Sequence, residues 1–213
     1  MDITTSGIVL RVRPLTETSL ILHWLTRDHG RIATVAKGAR RPKSPFRGKL
    51  DLFHAANFSF HRSRRSALHT LREVALINAH VHLRREFLHL QQAAYAAVFI
   101  EQTTEEDTPL PEAFDLFAGL LAHLSTCAPT ANTVLAFELK CLAVLGLAPR
   151  LDESRLAADT QHALTALCES DWESVAQLKM TAAQVGEASQ FLHGFLIYHL
   201  GRIPKGRAEA LSC

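Results

Sequence analysis

The chain has 213 residues, 47% hydrophobic and 21% charged, a balance near the globular average that excludes wholesale disorder. Its length allows one large domain or two small ones. The net charge is only +2, but residues 1–85 hold 16 Lys/Arg against 5 Asp/Glu and residues 86–213 hold 7 against 16, and so steep a segregation marks a polyanionic partner for the first part.

The first part alternates with period two. In Ser6–Arg13, Ile8, Leu10 and Val12 are expected on a core face, with Gly7, Val9, Arg11 and Arg13 opposite, and Pro14 stops the strand. Thr18–Thr26 is a second strand with Leu20, Leu22 and Trp24 in phase. Asp28-His29-Gly30 turns the chain into a third, Ile32–Ala36. A fourth runs from about Leu50 to Phe60, with Leu52, His54, Ala56, Phe58 and Phe60 in phase, and a fifth from Leu68 to Ile77. Five short strands, tightly connected except for one long loop, predict a small closed barrel, because closure removes exposed edges.

Near residue 82 the period becomes helical. Leu83, Phe87, Leu90, Ala94 and Val98 form one stripe, Thr103–Pro111 is an acidic loop, and Phe114, Phe117, Leu121 and Leu124 form a second stripe. Pro129–Asn132 supplies capping residues for a third helix containing Leu135, Leu139 and Leu142, which Gly146 and Pro149 close. Residues 154–169 and 181–200 give two more, the last with Val185, Ser189, Leu192, Phe195 and His199 on one face. The expected class is therefore α+β with segregated parts, a barrel over 1–80 and an all-α domain over 81–213.

No apolar run reaches the roughly 18 residues of a membrane span, since Glu138 and Lys140 interrupt the best stretch, Val134–Leu147. Met1–Ser6 lacks the basic and apolar regions of a signal peptide. Cys127, Cys141, Cys168 and Cys213 form no Cys-x-x-Cys pair, which points to a reducing, cytoplasmic setting rather than a disulfide scaffold or zinc ribbon. His80-x-His82 with Glu86 lacks a completing ligand, so no metal or other cofactor is expected. Neither a P-loop nor a Gly-x-Ser-x-Gly elbow occurs, and no catalytic set is visible, so a non-enzymatic protein is expected.

The chemical signal lies in two connections. Lys37, Arg40, Arg41, Lys43, Arg47 and Lys49 fill the third, and Arg62, Arg64 and Arg65 the fourth. In a meander-like barrel these are expected at neighbouring positions on one rim, making a cationic groove that Arg11, Arg13 and Arg72 extend along the wall. Phe46 is a candidate for base stacking beside the guanidinium groups, or else a plug tucked onto the barrel. If about five phosphates are neutralised, log affinity falls against log salt with a slope of about −3.5 for single strands and about −4.5 for duplex.

The segments Thr5–Leu10, Glu17–Leu22, Thr26–Ile32 and Val35–Arg41, with Phe137–Lys140, Leu145–Pro149 and Tyr198–Arg207, resemble the bacterial RecO family. The resemblance covers nearly the whole chain, and Lys37-Gly38-Ala39-Arg40-Arg41 is its most specific piece. It implies an oligonucleotide/oligosaccharide-binding (OB) barrel followed by a helical domain. It also implies a cytoplasmic, nucleoid-associated DNA-repair and recombination mediator that binds single- and double-stranded DNA without sequence preference and anneals complementary strands. Such proteins work with RecR and help load RecA onto DNA coated by single-strand binding protein, whose acidic C-terminal tail docks on the helical domain. Phe137, Lys140, Arg150, Arg202, Lys205 and Arg207 are the candidates for that tail.

Many members carry a four-cysteine zinc cluster after the Leu-Gly-x-x-Pro segment. Here Leu151-Asp152-Glu153-Ser154 follows, and only Cys168 and Cys213 come later. Gly206 also stands where relatives often have serine. The alternatives are an OB-fold RNA-binding protein, and a scaffold whose basic barrel docks an acidic protein.

Overall fold

The computed structural model describes residues 2–212; Met1 and Cys213 lie outside the described residues. Its strands are β1 (Asp2–Pro14), β2 (Leu20–Thr26), β3 (Gly30–Ala36), β4 (Ala55–His61) and β5 (Leu68–Asn78). They close into a barrel in the order β1-β2-β3-β5-β4. Every seam is antiparallel except β3–β5, which is parallel and only three pairs long, Ala33–Leu68 to Val35–Thr70. This is an OB-type barrel, as the resemblance implies.

β2 and β4 keep their expected phases. Leu22 and Trp24 from β2, and Ala56, Phe58 and Phe60 from β4, join the barrel core. Trp24 stacks on Phe58 with ring centroids 4.1 Å apart, and its indole N–H donates to Thr34 Oγ1 at 2.8 Å. β1 departs from expectation. Its register against β2 shifts between Val9 and Arg11, so a bulge changes the phase. Val9 belongs to the barrel core with Val12 packed against it, whereas Ile8 and Leu10 are buried outside that cluster.

The helical elements are a 3-10 turn (Val81–Arg84), α1 (Phe87–Thr103), α2 (Pro111–Thr126), α3 (Ala131–Val144), α4 (Ala158–Glu169), α5 (Trp172–Gln177), α6 (Ala182–Leu200) and α7 (Arg207–Leu211). Thr130 caps α3 as expected, its side chain accepting from the Thr133 N–H. α6 opens on a Thr181/Gln184 capping box and ends at Gly201 in the left-handed conformation. The stripe expected on α1 is wrong. Phe87 and Ala94 are exposed, while Gln92, Tyr95, Phe99 and Ile100 are buried. A helix buried over most of its girth offers no single periodic face to read.

Two compact units result. One holds residues 1–81 together with 104–115, and the other holds 82–103 and 116–213. Residues 104–115, acidic and next to the helical part in sequence, thus fold with the barrel. Asp107 N–H donates to the Arg31 carbonyl at 2.9 Å, and Glu106 pairs with Arg31 in a parallel bridge. The Arg31 guanidinium donates to Thr104 Oγ1 at 2.8 Å and to its carbonyl at 2.7 Å. Gly30 makes the fit possible. Its φ is +65°, and a Cβ there would stand 2.1 Å from the Thr108 carbonyl oxygen. This strap is absent from a division drawn at residue 80.

In the second unit, the Arg207 guanidinium donates to both carboxylate oxygens of Glu138, at 2.7 and 2.9 Å, and Tyr95 hydroxyl donates to the same carboxylate. Glu138 and Arg207 are 0 and 5% exposed, so this pair pins α7 to α3 inside the core.

Candidate nucleic-acid interface

The β3–β4 loop leaves the barrel at Ala36 and returns at Ala55. It is not a slack arm. Successive backbone bonds, Arg41 to Gly38, Ser44 to Arg41, Arg47 to Ser44 and Lys49 to Phe46, fold it into a run of tight turns. Gly38 and Gly48 supply the positive φ values, +70° and +74°, that these turns require. Phe46 is 7% exposed and belongs to the barrel core cluster that also holds Leu71 and Val74. It is a plug and not an exposed stacking platform.

With Phe46 holding the middle of the loop, its cations point outward. Lys37, Arg40, Arg41, Lys43 and Arg47 are exposed and Lys49 is half-buried. Among the described residues none of the six is ion-paired. Arg40 fixes the loop to the β1–β2 connection, its backbone N–H donating to Thr18 carbonyl at 3.0 Å and its guanidinium to Thr16 carbonyl at 3.2 Å. Beside it is a cleft of about 370 Å³ lined by Thr16, Thr18, Lys37 and Arg41 among others. Thr16 Oγ1 already accepts from the Thr18 and Ser19 N–H groups, which leaves its own O–H to donate. Two cations and a directed hydroxyl are the chemistry of a phosphate site. Arg13, exposed, and Arg11, half-buried, lie on the β1 segment that leads into this end.

The β4–β5 loop does not join that rim. β5 lies between β3 and β4 and runs parallel to β3, so the loop entering β5 sits toward the end where β3 begins. Leu68 stands opposite Ala33, which puts the two basic loops about four residue rises, roughly 13 Å, apart along the strands. The expected single rim is therefore two cationic ends, because the two loops flank the same strand, β4, and so lie at its opposite ends whatever the strand order.

The second end is also partly neutralised. Arg62 donates to Asp107 of the strap at 3.1 Å, and Arg27, in the β2–β3 turn, pairs with Asp115 at 2.8 Å. Arg64 and Arg65 remain exposed. Between loop and strap lies His69, buried and stacked on Phe60 with centroids 5.2 Å apart. Its Nδ1 accepts the Ser63 N–H at 3.3 Å, which leaves the ring proton on Nε2, 3.9 Å from Asp107. Burial holds the His69 pKa below its usual value, and the Asp107 charge opposes that shift in part. Arg72 is exposed on β5, near enough for its charge to act on Asp2, which bonds His61 at the start of this loop.

Three of the six residues expected to receive an acidic tail are committed elsewhere. Phe137 is core, 1% exposed and edge-on to Phe99. Arg207 is held by Glu138. Lys140 donates to the Cys168 and Ser170 carbonyls at the end of α4, and burial lowers its pKa. An apolar helix stripe and the end of a helix both attract such residues, and sequence alone could not separate packing from docking. Arg150 pairs with Glu153 at 2.6 Å on the surface, while Arg202 and Lys205 are exposed.

The strap and the Thr16/Thr18 partners escaped the sequence reading. The acidic run Thr104–Asp107 was the available signal, since it complements the basic barrel in sign. His80 is spent on a 2.7 Å bond to the Phe53 carbonyl, and among the described residues no group of three His, Cys, Asp or Glu is placed to hold a metal. Burial pushes the Cys141 thiol up to about 12, while Cys213 lies outside the described residues.

Residues 1–80 match the family model "Recombination protein O N terminal" and residues 84–155 match "Recombination protein O C terminal". The chain is 36% identical over 143 residues to the DNA repair protein RecO of Rhodopirellula baltica, covering 67% of this chain and 53% of the relative. The Bacillus pumilus protein of that name is 32% identical, with 72 and 59% covered. The Anaeromyxobacter dehalogenans one is 28% identical, with 92 and 91% covered. The match to the first two thus spans little more than half of their length. Among the described residues no helix is long and apolar enough to cross a membrane.

Proposed function

The chain belongs to the recombination protein O family, and from that premise we propose that it is a DNA-repair and recombination mediator with no catalysis of its own. It binds single- and double-stranded DNA without regard to sequence and anneals complementary strands. One observation carries this reading: six cations on a self-folded loop, none ion-paired among the described residues, attached to a barrel of OB order. Self-repulsion among such cations costs stability, and phosphates relieve it while releasing their counterions.

The primary contact runs over Lys37, Arg40, Arg41, Lys43, Arg47 and Lys49, with Thr16 and Thr18 in the cleft. Arg11, Arg13 and Arg72 extend it, and Arg64 and Arg65 serve at the far end. Annealing needs no bond to be made or broken. Cations reduce the repulsion between two backbones, and bases left free can pair. As partners we infer RecR and, through it, RecA loading on DNA coated by single-strand binding protein. The acidic tail of that protein then finds Arg202 and Lys205 just beyond α6, whose last turn exposes Tyr198 and Ile197.

The test is strand annealing with oligonucleotides coated by single-strand binding protein, with and without its tail. Stimulated annealing that weakens when the tail is removed supports the reading. Absence of saturable, salt-sensitive DNA binding sinks it, and a strong preference for RNA of equal length in competition redirects it to RNA.

A further inference from the structure

β5 carries a second irregularity. Ser59 pairs with Glu73 and Phe60 with Leu71, so Arg72 is the extra residue of a bulge, and Arg72 and Glu73 are both exposed. Bulges re-aim side chains. The bulge lies just past the point where β3 leaves β5, where Pro45, Phe46 and Lys49 of the β3–β4 loop border the strand. Between loop and strands lies a groove of about 440 Å³. Its floor is the solvent face of β4 and β5, with Asn57, Ser59 and Ala75, and its cations are Lys49 and Arg72. The size is within the roughly 300–1,000 Å³ of small-ligand clefts. Oligonucleotides generally cross the β2–β3 face of such barrels, and this groove is on a different wall.

We propose that this groove is a subsite for one unpaired nucleobase of a bound single strand. The proposal rests on the nucleic-acid reading above and adds to it a reason to favour single strands over duplex. A nucleotide needs three things at once: a cation for its phosphate, an apolar edge for its ring, and polar groups for its rim. Lys49 and Arg72 supply the first, Pro45 with the edge of Phe46 the second, and Asn57 the third. The Asn57 side-chain amide has no hydrogen-bond partner among the described residues and can both donate and accept. Glu73 rejects a phosphate from the floor and accepts from an exocyclic amine, which orients the ligand with its backbone toward the cations. A base still paired in a duplex cannot enter.

The test measures binding of a single-stranded oligonucleotide and of the same length of duplex to the full chain. It compares the wild type with Asn57→Ala and with Ala75→Ile, which fills the floor from an exposed strand position. Both variants are expected to lose about tenfold, about 1.4 kcal/mol, for the single strand and to keep duplex affinity within about twofold. A 2-aminopurine probe in the single strand should change emission on binding the wild type and not Ala75→Ile. Lys37→Glu/Arg41→Glu serves as reference and should weaken both DNA forms. If both groove variants match the wild type on both forms while the reference variant weakens both, the groove is not a base site and the cationic reading stands. If the wild type binds neither form saturably, both fall together.

Discussion

The two ends of the barrel carry similar cationic side chains and differ in how far those are neutralised. At one end, six Lys and Arg on the β3–β4 loop have no carboxylate partner among the described residues. At the other, Arg27 and Arg62 are held by Asp115 and Asp107 of a strap that comes from beyond the first helix. Counting basic residues along the sequence treats the ends as equal. Their value to a polyanion differs, because a phosphate at Arg62 must compete with a carboxylate already in place.

The contrast can be broken or sharpened by experiment. Phe46→Ala should have the largest effect, about 3–5 kcal/mol of stability, read by urea unfolding; an exposed stacking ring would cost almost nothing. Reversing Lys37, Arg40 and Arg41 to Glu should cut DNA affinity at least about 100-fold at low salt, whereas reversing Arg62, Arg64 and Arg65 should cost about tenfold or less. Equal losses would erase the distinction. Gly30→Ala should destabilise by about 1–3 kcal/mol from strain at a positive φ, and by more because the strap leaves its Cβ no room. Asp107→Asn should instead raise affinity a few-fold and steepen the salt slope by about 0.7 for single strands, as Arg62 becomes free for one more phosphate.

The smallest effect is a pH dependence. Burial depresses the folded pKa of His69 below its ordinary 6.5, so the unfolded chain takes up the proton first. The stability due to neutral His69 is full above pH 6.5 and is lost as pH falls toward the folded pKa. Protonation at Nδ1 also breaks the bond from Ser63. The unfolding free energy of His69→Gln should vary less than that of the wild type between pH 7.5 and 5.5. Asp107→Asn should lower the His69 pKa further in an NMR titration, since it removes the charge that opposes the shift.

Much of this was legible in the sequence, and the misses have physical causes. Alternation in Leu20–Trp24 and Ala56–Phe60 placed two strands and their inward faces correctly. The same logic failed in β1, because a single extra residue changes which side faces the core and leaves no compositional trace. Phe46 stood open between a stacking ring and a plug, because its charged neighbours favour one and its apolar ring the other, and only the folded barrel decides for the plug. The two basic loops are separated for a simpler reason, since they enter and leave the same strand, β4, and so lie at its opposite ends. Phe137 and Arg207 lay in segments that read equally well as surface or core. Glu138 was the overlooked clue, since a carboxylate in an apolar helix run demands a buried partner.

On the proposed function, the anchoring of Phe46 has a consequence for how tightly DNA would be gripped. A loop that must be ordered upon association loses conformational freedom at that moment, at about 1–2 kcal/mol per residue fixed. Here the folding of the barrel has already immobilised the segment, so its cations meet the ligand preorganised. A ring that touches no phosphate would thereby contribute to affinity by removing motion beforehand.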